Sequence, residues 1–416
     1  MSFSMVDGIA TINLDSVGTL ALALVLLLIG NYLRNHVAFL ERFCIPAPVA
    51  GGFTFSFIHC VLYMTGVLCF EFDTAFQSPA MIAFFTCVGL ATSLKGIKRG
   101  GKSFVIYYIL CCVLIVAQSV LSIVLSTVTG IEPIYGFLAG STTMVGGHGN
   151  GGSFGQTITD LGYSAGLTVG MACATFGLVS GSLLGGPFAD HLIKKFKLDP
   201  SKADTSFDEP ADDPSEIAVE DKSNMNLMKH VACIAVIMTI GGFLVGKLST
   251  LIKGVTLPAY VGGMFLGVIV RNVNDKTKHL KLHQSTIDGM QDTFLAVFLS
   301  IAMMSLKLWQ LIDLAIPLLI ILFAQVAFVL LFARFICFPL LGKNYDTAVM
   351  LGGLIGHGLG ATPNAIANIT SVTDKYGPSK KAMFIVPIIA AALLDLFLLP
   401  SIVVTFNVAL NMMGLG

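Results

Sequence analysis

Two glycine-dense strings built around a histidine, Gly147-His148-Gly149-Asn150-Gly151-Gly152 and Gly356-His357-Gly358-Leu359-Gly360-Ala361, each interrupt a hydrophobic stretch, and their histidines stand 209 residues apart. Glycine-dense backbone is poor in any helix. In hydrocarbon its unpaired N–H and C=O groups are tolerated only where protein or a water-filled cavity surrounds them. A pair of such breaks at corresponding positions points to the binding site of a transporter.

The rest of the sequence puts those breaks in a membrane. Hydrophobic residues make up 55%, charged residues 12%, and the mean hydropathy is +0.85. A chain of 416 residues has room for about ten spans of roughly 20 residues plus loops. Hydrophobic runs place five near Ser16 to Leu33, Val49 to Phe70, Pro79 to Leu94, Phe104 to Val128 and Ser164 to Phe188. A second five lie near Met228 to Leu248, Leu257 to Val270, Gly289 to Leu306, Leu314 to Phe338 and Ala382 to Val408. The expected fold is thus all-α and polytopic: a first repeat over 1–188, a polar linker over 189–229 and a second repeat over 230–416. The segment up to Asp15 holds no Lys or Arg, so it lacks the basic region of a cleaved signal, and the first span reads as retained. The linker carries Asp204, Asp208, Glu209, Asp212, Asp213, Glu216, Glu220 and Asp221 among Pro, Ser and Lys, and reads as a solvated tether or a regulatory partner site. The nine cysteines lie mostly inside apolar runs and read as small packing hydrophobes.

Short strings repeat between the halves. Pro46-Ala47-Pro48-Val49-Ala50-Gly51-Gly52 resembles Pro258-Ala259-Tyr260-Val261-Gly262-Gly263, and Ser93-Leu94-Lys95 resembles Ser305-Leu306-Lys307. Gln118 and Gln325, polar residues inside the fourth and ninth runs, fall close to the same register. A nearly constant offset argues for duplication. With the N-terminus outside, 21 of the 24 basic residues fall on the cytoplasmic side, leaving only Lys247, Lys253 and Lys307 outside. That count requires each glycine loop to enter and leave on one side, as a re-entrant hairpin over about 134–160 and 346–370. Five spans per half is odd, so the repeats are inverted and both termini are periplasmic. Inversion lets one plan form outward-open and inward-open states, and the hairpin tips should meet near the midplane.

Glycine-rich turns leading into short half-helices present free N–H groups and the positive end of a dipole, which suits a carboxylate. Ser141, Thr142, Gly147, His148, Gly149, Asn150, Gly151 and Ser153 are the candidate contacts of the first loop. Gly356, His357, Gly358, Gly360, Thr362 and Asn364 are those of the second. His148 and His357 each either brace a turn or meet substrate or protons. Asp395 is the one carboxylate deep within an apolar run, which makes it a functional candidate as a sodium ligand, with a hydrogen-bonded packing role as the alternative. Asn368, Gln118 and Gln325 are the other sodium candidates, and Pro387 would free a carbonyl nearby. Lys95 and Lys307 read chiefly as interfacial. The substrate class is a small organic anion moved with cations.

Several strings resemble the bacterial sodium/glutamate symporter family over almost the whole length, from Val17 to Asn407. They are Pro46 to Gly52, Gly146-Gly147-His148-Gly149, Met171 to Val179, Lys307-Leu308-Trp309, Gly342 to Asp346, and Gly358 to Asn368. The resemblance implies sodium-coupled uptake of glutamate across the inner membrane and a homodimer. It also implies an elevator-type motion in which the first two spans of each half are the scaffold and the last three move with the hairpins. His357 departs from that pattern, where better-known members carry an aromatic residue and have their own histidine a few residues earlier.

Glutamate carries net charge −1, so entry against an inside-negative potential costs about 2.3 kcal/mol per 100 mV. One sodium cancels that cost and a second makes import favourable, so at least two sodium ions per substrate are expected. Aspartate or a citrate-like hydroxycarboxylate is the alternative cargo, since a backbone anion site does not name its anion. No ring of charges or repeated filter string supports a channel. No nucleophile with a base, aspartate pair or zinc motif supports an enzyme. A nucleic-acid partner is not expected; the partners are the bilayer, the substrate and sodium.

Overall fold

The computed structural model describes residues 1–6, 8–42, 45–92, 101–204, 224–251, 257–280 and 282–415. Lys95, Lys98, Arg99, Lys222, Lys253, Lys281, the Ser93-Leu94-Lys95 string and linker residues 205–223 lie outside the described residues.

In chain order the helices begin with α1 (Ser16–His36), α2 (Ala47–Met64), α3 (Gln77–Ala91) and α4 (Gly101–Thr129). They continue with the short α5 (Pro133–Phe137), α6 (Gly147–Asp160) and the long α7 (Gly166–Phe196). The second half holds α8 (Asn224–Leu251), α9 (Ala259–Thr277), α10 (Gln284–Met304) and α11 (Ala315–Phe332). It ends with α12 (Tyr345–Leu359), α13 (Thr362–Tyr376), α14 (Lys380–Ile388) and α15 (Leu394–Met412).

An all-α reading holds for the membrane body but misses a small sheet. Strand β1 (Ser2–Val6) runs antiparallel to β2 (Ile9–Leu14), which pairs in parallel with β3 (Leu68–Phe72). The second span was expected to reach Phe70. It stops at Met64, and the chain turns at Gly66, whose φ of +71° suits glycine. The residues beyond, Leu68–Phe72 with its two phenylalanines, then pair as strand. His59 on α2 fixes the junction, its Nε2 accepting the Phe70 N–H at 3.0 Å.

Ten helical stretches lie where ten spans were expected. Eight of the described helices are long and apolar enough to cross a membrane. The two that fall short are α3, with 15 residues, and α9, whose last two turns carry Arg271, Asp275 and Lys276. They cross each other closely, Gly89 against Met264 and Gly267 against Thr86. Helices covered by protein rather than lipid need neither full length nor full apolarity.

The helices form two groups. One joins α1, α2, α3, α8, α9 and α10; the other joins α4 to α7 with α11 to α15. The grouping by packing differs from the division carried by the resemblance, because the third span of each half, α3 and α10, packs with the first two. The repeated glycine strings show why. Gly51 lies against the Leu26 carbonyl of α1 and Gly52 against Met303 of α10; Gly262 lies against Gly241 of α8 and Gly263 against Thr86 of α3. In each half the first glycine seats the preceding span and the second seats the third span of the other half.

In the second group α7 is the spine. Its 31 residues span about 46 Å. Gly166 and Gly170 face Gly155 and Gly151 of α6, while Gly177, Gly181 and Gly185 face the backbone of α12 at Leu359, Gly356 and Gly352. Helices meet backbone to backbone at such small-residue ridges. The two hairpins, α5–α6 and α12–α13, thus lie along opposite ends of one helix.

At the base of the second hairpin, the buried Asp346 carboxylate accepts the Ser379 hydroxyl at 2.6 Å and the Asp204 backbone N–H at 2.8 Å. Asp346→Ala leaves both donors unsatisfied and should lower unfolding stability by roughly 1–3 kcal/mol. Asp204→Ala keeps the backbone donor and should cost less. Thermal unfolding of the two purified variants reads the difference, and equal shifts would contradict it.

Candidate functional site

Both histidine strings are helical where unwound loops were expected. His148 lies in the first turn of α6 and His357 in the last turn of α12. Only Val145-Gly146 and Gly360-Ala361 turn, together with a π-helical stretch at Leu138–Thr142 that is broken at Gly140. Intrahelical bonds satisfy most of this backbone away from water. The glycines serve close packing instead: Gly149 faces Phe84, Gly151 faces Gly170, and Gly152 faces Met171 and Phe298.

The histidines are therefore not equivalent. His148 follows its tip and His357 precedes its tip. The matching positions are Gly146 with Gly360 and Asn150 with Asn364, 214 residues apart rather than 209. A Cβ on either glycine would collide with the carboxamide four residues on.

The tips meet. Gly147, at φ +59°, would place a Cβ 3.3 Å from the Gly360 carbonyl oxygen. Helix α6 begins at Gly147 and α13 at Thr362, and neither has a side-chain N-cap. The N–H groups of Gly147, His148 and Gly149 have no hydrogen bond among the described residues. Each tip also carries the carbonyl end of the arm before it. Anion-seeking and cation-seeking backbone thus lie side by side.

The candidate side chains divide by what they touch. Ser141 shares a 2.6 Å bond with Ser119 of α4, and Thr142 is buried beside it. Ser153 is turned back to the Gly149 carbonyl of its own helix at 2.6 Å. Thr362 donates to Ala390 O at 3.0 Å, inside a π-helical stretch, Ile389–Leu393, that follows Pro387. Asn364 donates to Leu178 O at 2.9 Å, and Asn368 to Gly181 O at 3.0 Å and Gly352 O at 3.3 Å. Gly356 lies under Ala365 across the hairpin, and Gly358 lends its carbonyl to Gln118 at 3.1 Å. Gln325 in turn donates to Gln118 O at 2.8 Å.

His148 Nε2 lies 3.0 Å from Thr175 Oγ1. Thr175 already donates to Met171 O at 2.9 Å, so Nε2 carries the proton. His357 Nε2 lies 2.8 Å from the Tyr107 hydroxyl. Each ring is anchored to a helix outside its hairpin. Asp395 sits in the first turn of α15, half-buried, with no hydrogen bond or ion pair among the described residues.

Thr175, Tyr107 and Ser119 escaped the sequence reading. The ridge spacing of Gly166, Gly170, Gly177, Gly181 and Gly185 was the available signal for α7. The apolar groove of about 480 Å³ between α4 and α15, lined by Val116, Val120, Val404 and Val408, is also lined by Ser119, the partner of Ser141.

The family model for the sodium/glutamate symporter matches residues 12–378. This chain belongs to the sodium/glutamate symporter family. It is 39% identical over 392 residues to a sodium/glutamate symporter of Haemophilus influenzae, covering 94% of this chain and 96% of that protein. It is 36% identical over 390 residues to a sodium/glutamate symporter of Escherichia coli, covering 92% and 95%. Family membership together with eight membrane-length apolar helices makes this a multi-pass membrane protein.

Proposed function

We propose that the chain carries L-glutamate into the bacterial cell with at least two sodium ions by alternating access across the inner membrane. The observation that carries this reading is the tip-to-tip meeting of two uncapped helix N-termini, one from each half. Substrate carboxylates are held at the N–H groups of Gly147, His148 and Gly149 and at the start of α13. Ser141, Thr142 and Thr362 line the approach. His148 and His357 position the tips through Thr175 and Tyr107. Gln118, Gln325, Asn368 and Asp395 supply oxygen to sodium.

The two halves act as inverted repeats with re-entrant hairpins, both termini periplasmic. The repeated glycine strings and the opposed hairpins on α7 support this. The hairpin-bearing group, α4 to α7 with α11 to α15, moves as an elevator against the other six helices. The few connections between the groups support that division, and the protein works as a homodimer.

The test is labelled glutamate uptake into proteoliposomes, with and without an inward sodium gradient, and with aspartate and citrate as competitors. Saturable, sodium-driven accumulation is expected. An imposed inside-negative potential should raise the rate, because two sodium ions and one glutamate carry net charge +1, worth about 2.3 kcal/mol per 100 mV. A rate indifferent to potential would remove the second sodium, and accumulation of citrate alone would replace the cargo.

A further inference from the structure

We infer that Asn150 and Asn364 are a matched pair of ligands for the co-transported cations, one at each hairpin tip, rather than contacts to the substrate's carboxylates. This rests on the sodium-symport reading above. The two asparagines occupy equivalent places, each with its carboxamide laid over a tip glycine four residues earlier, Gly146 or Gly360. Neither is exposed: Asn150 retains 3% of its surface and Asn364 none.

Each nitrogen is engaged through one of its two N–H groups. Asn150 Nδ2 donates to Gly146 O at 3.4 Å and Asn364 Nδ2 to Leu178 O at 2.9 Å. Flipping either amide would set oxygen against oxygen, so the two carbonyls favour this orientation. Both Oδ1 atoms are then buried without a hydrogen-bond partner among the described residues. Such an atom only accepts. A carboxylate brought to it would be repelled, whereas a small hard cation takes oxygen ligands of this kind.

The surroundings agree. Gln118 Oε1 and Gln325 Oε1 are also buried and without a partner among the described residues, and Gln118 is tied to the second hairpin through Gly358 O. Unpartnered oxygens collect on side chains, while the N–H groups of Gly147, His148 and Gly149, without a hydrogen bond among the described residues, belong to backbone. Anion and cations are thereby sorted onto different atoms of the same tips. One acceptor at each tip gives two cation positions, which matches the coupling proposed above.

The experiment measures equilibrium binding of labelled sodium and labelled glutamate to the purified full-length protein in lipid nanodiscs. Unmodified protein should bind two sodium ions per chain. Asn150→Ala and Asn364→Ala should each raise the sodium concentration for half-saturation roughly 10- to 100-fold, the loss of one contact to a charged group. Each should leave glutamate affinity at saturating sodium unchanged. Glutamate binding retained at saturating sodium separates a lost ligand from a misfolded chain. Weakened glutamate binding at saturating sodium with an unchanged sodium requirement would overturn the inference, as would alanine variants that behave like the unmodified protein. Unmodified protein that binds glutamate without sodium would instead overturn the symport reading itself.

Discussion

Alanine at Gly177 is expected to bring glutamate uptake down to background while the chain still inserts and folds. The Leu359 carbonyl of α12 occupies the place a Cβ at Gly177 would take, so α7 and the last turn of the second hairpin must separate. Forcing a methyl into a packed contact costs roughly 1–3 kcal/mol. Here that cost falls on the turn that carries His357 and leads into Gly360, the tip residue that meets Gly147. Gly186, on the same helix, is the control: its nearest neighbour, Ser371 Oγ, would be 3.9 Å from a Cβ. Gly186→Ala should transport like the unmodified protein. Both variants are compared by uptake into proteoliposomes at matched protein content. Equal rates would show that the backbone seat on α7 is not needed for transport.

Asp395→Asn should raise the sodium concentration for half-maximal glutamate binding by about tenfold or more, since contacts between a charged group and its partner contribute about 1.5–3 kcal/mol. Asparagine keeps the shape and one carbonyl oxygen but not the negative charge. An intramembrane carboxylate with no hydrogen bond or ion pair among the described residues is expensive to hold unless a cation completes it. The π-helical stretch before it, with Ala390 O tied to Thr362, links its helix to the start of α13. Glutamate affinity at saturating sodium should change little. A sodium response equal to that of the unmodified protein would end the ligand assignment for Asp395.

Much of this architecture can be read from the chain itself. Ten apolar runs mark ten helical stretches, and the glycine-rich strings lie within two or three residues of the turns they signal. Hydropathy reads each run independently, so it locates elements well and pairings poorly. That is why the packing of α3 and α10 with the first two spans was missed: the deciding contacts, Gly52 with Met303 and Gly263 with Thr86, join residues far apart in sequence. The partners Thr175, Tyr107 and Leu178 were missed for the same reason. The difference in register at the tips has another cause. Matching the two histidines compares letters, whereas Gly146 and Gly360 are matched by where the chain reverses, and the arms before the two reversals differ in helical form. The sheet was hidden because Ile9–Leu14 and Leu68–Phe72 are short and their faces are not cleanly alternating.

Because both hairpins rest on one rod, the spacing between their tips is a gauge cut into α7. Its contact glycines recur at four or seven residues, about 6 or 10 Å along the axis. A hairpin can sit on these rungs and not between them, since a half-step would bring a side chain under a carbonyl. The distance between the two tips therefore changes in whole rungs, and any finer adjustment is left to side chains rather than to the rod.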